Sequence, residues 1–93
     1  MDKNEKTAKL LKAIAHPVRI QIIRLIFEHQ ILSVGSIHTL LKIDQPVISL
    51  HLGILRKQRI IKAEKRGKSN YYFIINQSVN QVIEIIYNDL HSN

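Results

Sequence analysis

The chain contains no cysteine. That removes disulfides, thiolate metal sites, iron–sulfur clusters, a cysteine nucleophile and thiol redox sensing from consideration. Acids are scarce: seven Asp and Glu stand against fourteen Lys and Arg, and no pair of carboxylates has a spacing that suggests acid–base work. With three glycines and two prolines there is no glycine-rich phosphate loop, no proline-rich linker and no low-complexity segment. Of the serines, Ser33, Ser36, Ser49 and Ser69 all lie outside a nucleophile elbow. An enzyme is not expected. Long apolar runs are missing too. The longest, residues 20–27, is broken by Gln21 and Arg24 and is too short to span a bilayer. The opening Met1-Asp2-Lys3-Asn4-Glu5-Lys6 lacks the apolar stretch of a signal peptide. The expectation is a soluble, cytoplasmic protein with no membrane partner and no cofactor.

What the chain does have is concentrated positive charge. Ninety-three residues, 45% of them apolar, suit one globular domain over residues 1–93. A domain this small buries only about 60% of its unfolded surface, which leaves no room for a cleft between lobes. The net charge is +7. Residues 56–68 hold seven bases (Arg56, Lys57, Arg59, Lys62, Lys65, Arg66, Lys68) and one acid, Glu64, a net +6. So local an excess points to a polyanion, either nucleic acid or an anionic membrane surface. The membrane is the weaker reading, because the bases lie on a hairpin pattern without an apolar insertion face.

Periodicity divides the chain into a short series of elements. Residues 7–15 read as a helix with Leu10, Leu11 and Ile14 on one side, while Lys3, Lys6, Lys9 and Lys12 spiral through solvent. Pro17 opens a helix over 17–28 whose polar arc is only Gln21, Arg24 and Glu28. So wide an apolar surface marks the central helix. Arg19 points into that surface and needs a buried partner that spacing does not name. Ile31-Leu32 is a candidate short strand. Ser33 is an N-cap for a helix over 34–41 with Val34, Ile37, Leu40 and Leu41 inward, and Asp44 is an N-cap for a helix over 45–58 with Pro46 in its first turn. Two short helices so closely joined signal a helix-turn-helix. The period then changes to two: residues 60–75 read as a β-hairpin with a polar tip at Arg66-Gly67-Lys68-Ser69-Asn70. A last helix over 79–90 carries Val82, Ile83, Ile86 and Leu90 on one stripe. The fold class is mainly α (α+β): a winged helix-turn-helix of five helices with a two-stranded β-hairpin wing.

Three segments carry a family resemblance. Ala15-His16-Pro17-Val18-Arg19-Ile20-Gln21-Ile22-Ile23 resembles the opening of the second helix in the ArsR/SmtB family of bacterial winged-helix repressors. Asp44-Gln45-Pro46-Val47-Ile48-Ser49-Leu50-His51-Leu52, with Leu55-Arg56, resembles its recognition helix, and Gly67-Lys68-Ser69-Asn70-Tyr71-Tyr72 the end of its wing. The resemblance covers about residues 10–75. It implies a homodimer joined through the first and last helices, by Leu10, Leu11, Ile14, Val82, Ile83, Ile86 and Leu90. Such a dimer binds double-stranded DNA at a two-fold operator and represses transcription.

Helical geometry says which side of that helix meets DNA. At 100° per residue Ile48, Leu52 and Leu55 fall within about 60° of one another and face the core. Gln45, Pro46, Ser49, Leu50, Gly53, Arg56 and Lys57 lie opposite or beside them. In a major groove Gln45 suits adenine, and Ser49 a base or a phosphate. Gly53 lets the helix lie closer. Leu50 points away from the core at a position where the family often has histidine, and two readings stay open: contact with thymine methyls, helped by Val47, or a stray exposed leucine. His51, nearer the core edge, is either a packed histidine or a DNA contact. Arg66, Lys68, Ser69 and Asn70 either hold phosphates or enter the minor groove, or form a plain solvated turn. Three or four phosphates per subunit, about six to eight per dimer, correspond to a log–log salt slope on the order of −5 to −7.

Members of the family are often metal sensors, and the residues here do not match those sites. Ser33 and Gly35 stand where one site has a Cys-x-Cys pair. Asp89-Leu90-His91 matches the first half of a second site, but the 93 residues end before a later His-x-x-Glu pair. His16, His29 and His38 share no ligand spacing and read as structural or surface residues. The expectation is a cysteine-free, metal-independent regulator whose inducer is unknown. The alternative is a winged-helix module for protein or RNA contacts.

Overall fold

A computed structural model describes residues 1–92. Helix α1 spans Lys3–Ile14 and begins four residues before the apolar pattern does. Asp2 Oδ1 accepts from the Glu5 N–H at 2.8 Å and Glu5 Oε1 accepts from the Asp2 N–H at 3.4 Å, a reciprocal cap that starts a helix on polar residues alone. Helix α2 (Pro17–His29) opens with Pro17 at its first position, and the His16 ring nitrogen Nδ1 accepts from the Val18 N–H at 3.1 Å. Strand β1 is Leu32–Ser33, one residue later than expected. Ser33 Oγ then accepts from the Ser36 N–H at 3.1 Å and caps α3 (Val34–Leu41).

The link to α4 (Gln45–Lys57) is made by Lys42 in the left-handed region (φ 56°) and by His38, whose Nδ1 donates to the Ile43 carbonyl at 2.6 Å. Asp44 occupies the N-cap position of α4, but its carboxylate caps nothing. Its backbone carbonyl instead accepts from the Val47 and Ile48 N–H groups at 3.0 and 3.1 Å. Strands β2 (Ile61–Arg66) and β3 (Ser69–Ile74) form the hairpin, and α5 (Gln77–His91) starts where Asn76 Oδ1 accepts from the Val79 N–H at 3.2 Å.

The two-stranded wing is extended by β1 into a three-stranded antiparallel sheet in the order β1-β3-β2. Arg66 pairs with Ser69 at the tip and Ile61 with Ile74 at the base, while Leu32 and Ser33 pair with Tyr72 and Tyr71 on the other edge of β3. The wing is therefore anchored to the segment between α2 and α3, which gives its inner edge backbone partners. Helix α2 runs through the centre: Ile22, Ile23 and Ile26 are completely buried, with Ile37 of α3, Ile48, Leu52 and Leu55 of α4, and Ile60 and Ile61 at the base of the wing. Among the described residues no helix is long and apolar enough to cross a membrane.

Candidate nucleic-acid interface

Helix α4 is half sunk and half presented. Ile48, Leu52 and Leu55 are at most 1% exposed, whereas Gln45, Pro46, Val47, Ser49, Leu50, Gly53, Arg56 and Lys57 are all exposed. Leu50 is the extreme case at 63%, with Val47 at 41%. A Cβ added at Gly53 would meet nothing within 4 Å, so the fold itself does not require glycine there. Arg56 and Lys57 occupy the last turn, where their charge complements the helix dipole.

Of the two readings open for His51, the structure takes the packed histidine and not the DNA contact. It is 7% exposed, and its Nδ1 accepts from Arg19 Nε at 3.2 Å. Arg19 also donates from Nη1 to the Ala13 carbonyl at 3.0 Å, and the His16 ring lies 4.5 Å from the His51 ring. Arg19 thus has its buried partners, one on α1 and one on α4. Burial holds the His51 imidazole below its ordinary pKa, and the neighbouring charges of His16 and Arg19 push the same way. Neutral His51, with Nδ1 as acceptor and the proton on Nε2, is a strut that fixes the roll of α4 about its axis.

The wing tip is open. Arg66, Gly67, Lys68, Ser69 and Asn70 are exposed, as are Lys62 and Lys65, and Gly67 takes the φ of 62° that the turn requires. Arg66 is not free, however. Its Nη2 lies 3.2 Å from Glu64 Oε2, and its guanidinium sits 5.5 Å from the Tyr71 ring centroid. Periodicity treats Glu64 as one polar residue among others. The two-residue spacing along one strand, which puts Glu64 and Arg66 on one side, was the available signal.

On another part of the surface, α1 and α5 expose Leu11, Val82, Ile86 and Leu90, at 49%, 38%, 55% and 74%. These line a groove of about 330 Å³ whose floor is Ile14 and Ile83. Both floor residues are buried within the protomer, at 7% and 5%, and Leu10 is half-buried. The apolar set expected on these two helices is therefore split, part core and part surface. Helix α5 is fastened to α2 by Arg24, whose Nε lies 3.0 Å from Glu84 Oε1 and whose guanidinium stacks 3.4 Å above the Tyr87 ring. His91 donates from Nδ1 to the Tyr87 carbonyl at 2.7 Å and stacks on that ring. Among the described residues no three His, Asp or Glu side chains converge as a metal site would require.

A helix-turn-helix whose second helix shows solvent a mixed polar and apolar face, followed by a cationic hairpin, defines a winged-helix DNA-binding protein. The chain matches the model of the bacterial regulatory protein arsR family over residues 16–63, and it belongs to that family. It is similar to an HTH-type transcriptional regulator of Methanocaldococcus jannaschii, with 41% identity over 92% of this chain and 97% of that one. The transcriptional repressor PagR of Bacillus anthracis is 35% identical over 88% of this chain and 82% of its own, and its crystal structure superimposes with a TM-score of 0.80. HlyU of Vibrio cholerae, a transcriptional activator, is 32% identical over 94% and 81%. Its structure covers 98% of both chains at a TM-score of 0.85. The protein is a transcriptional regulator, hence a DNA-binding protein and not an enzyme.

Proposed function

We propose that two copies of the chain, joined through α1 and α5, bind a palindromic operator in the cytoplasm and repress transcription. Helix α4 lies in the major groove, where Gln45 pairs with adenine, Ser49 reaches a base or phosphate, and Pro46, Val47 and Leu50 contact base edges. Arg56 holds the flanking backbone. The wing, through Arg66, Lys68, Ser69 and Asn70, lies on phosphates or in the adjacent minor groove and fixes the register of the dimer. The observation that carries this reading is the exposure of one complete side of α4, whose other side is sealed into the core. The repressor assignment draws support from the likeness to PagR.

Selection of bound duplexes from random DNA at two salt concentrations tests the proposal. The expected product is a palindrome with half-sites about 10 base pairs apart, bound with a log–log salt slope on the order of −5 to −7. A nearly flat salt dependence, or a single asymmetric site, overturns it.

A further inference from the structure

The outward side of α4 carries a polar row and an apolar flank. At the 100° step Gln45, Ser49 and Arg56 share the row, Leu50 and Val47 lie on the flank, and Gly53, Pro46 and Lys57 sit between them. The apolar flank stays largely outside the core. Ile48, Leu52 and Leu55 already fill the core side of this helix, and Leu50 and Val47 remain 63% and 41% exposed. They are also remote in sequence from the apolar groove of α1 and α5, whose lining residues all fall within 11–20 and 82–90.

Charge decides what covers them. The bases Arg56, Lys57, Lys62, Lys65, Arg66 and Lys68 follow on the same stretch of chain, so a polyanion is drawn to this helix ahead of an apolar protein surface. Within a B-form major groove the one methyl group on the base edges is the C5-methyl of thymine, which stands out as an apolar contact among donors, acceptors and small C–H edges. We infer that Leu50, with Val47 beside it, is a specificity-determining contact for a pyrimidine C5-methyl group. What it reads is the methyl and not the base pair. Cytosine methylated at C5 carries the same group on the same ring carbon, so thymine and 5-methylcytosine satisfy the contact, while uracil and unmodified cytosine do not. Where a site carries cytosine at that position, the regulator responds to its methylation. Gln45 and Ser49, on the polar row, take the neighbouring donors and acceptors.

This inference rests on the DNA-binding reading above, and the test separates the two. In the duplex obtained by selection, each thymine is replaced in turn by deoxyuridine, which removes the methyl and leaves every hydrogen-bonding group in place. Affinity is measured for the wild type and for Leu50→Ser, whose fold is checked by circular dichroism. At one position per half-site the wild type is expected to lose about four-fold, and about fifteen-fold when both half-sites are changed, the worth of one buried carbon per contact. Leu50→Ser binds the thymine and uracil duplexes with a ratio near one. With a C·G pair at that position, 5-methylation of the cytosine raises wild-type affinity by a similar factor. Equal wild-type affinity for thymine and uracil at every position overturns the inference, and so does an equal loss in the wild type and Leu50→Ser. A protein that selects no duplex at all overturns the DNA-binding reading before any thymine is varied.

Discussion

Arg19 is a cation placed where its helix is otherwise apolar, and it is tolerated because two acceptors on different helices meet it. Its Nε and Nη1 donate to His51 Nδ1 and the Ala13 carbonyl at 3.2 and 3.0 Å. The inward direction of Arg19 is legible from the arc of α2. Its partner is not, since His51 is 32 positions away, and a 100° step puts His51 at the boundary where a small rotation of the helix decides between core and groove. Arg19→Leu leaves both acceptors buried without a donor and is expected to cost about 2 kcal/mol in denaturant unfolding. The same contact sets a pH dependence. The folded protein holds the His51 pKa below the ordinary 6.5, through burial first and then His16 and Arg19. The unfolded chain takes up the proton near 6.5 while the folded one resists it. This stabilisation is complete above 6.5 and is lost as the pH falls through that value toward the lower folded pKa. His51→Asn keeps an acceptor and cannot titrate, so its stability between pH 7 and pH 5.5 is expected to fall less than that of the wild type. Parallel curves would show that His51 does not drive the loss.

At the scale of elements, the wing opposes its own charge. The Glu64–Arg66 pair is 53% and 55% exposed, too open to stabilise the hairpin by more than about 1 kcal/mol. It does hold the guanidinium away from any phosphate, and it adds an anion beside the tip. Glu64→Gln is expected to raise DNA affinity about two- to five-fold at low salt, the range an exposed pair can supply, with a melting temperature close to that of the wild type. Unchanged affinity would mean that Arg66 takes no part in binding. Which elements could be read from the chain, and which could not, follows from how each is encoded. The turn before α4 and the hairpin tip are marked by residues with fixed local preferences, Pro46 and Gly67. The start of α1 is not legible in the apolar period because its first turn is wholly polar. The Asp2–Glu5 cap that makes it is a three-residue spacing, not an apolar period. The third strand is legible only in outline. Two residues have no period, and Leu32 and Ser33 are strand because β3 offers them a free edge.

Over the whole molecule, polar and apolar functions are kept apart. The net positive charge is concentrated on residues 56–68, while Leu11, Val82, Ile86 and Leu90 form an exposed apolar face on α1 and α5. That face is tied to the core, because Arg24 of α2 contacts Glu84 and Tyr87 of α5. A second copy seated on it would therefore set the distance between the two α4 helices without slack, as reading half-sites one helical turn apart demands. Ile86→Asp tests whether this is how the copies meet. The side chain is 55% exposed in a single protomer, so an aspartate there stays hydrated and the protomer folds; buried between two copies it would be a pair of unpartnered anions. The wild type is expected to sediment at twice the 10.8 kDa chain mass and Ile86→Asp at the chain mass itself. Because each monomer meets only half the phosphates, the log–log salt slope of Ile86→Asp on the same operator should fall to about half. Leu50→Ser, altered on the other face, stays dimeric with an undiminished slope. An Ile86→Asp protein that still sediments as a dimer would move the interface off this face, and with it the geometry that aligns the two recognition helices.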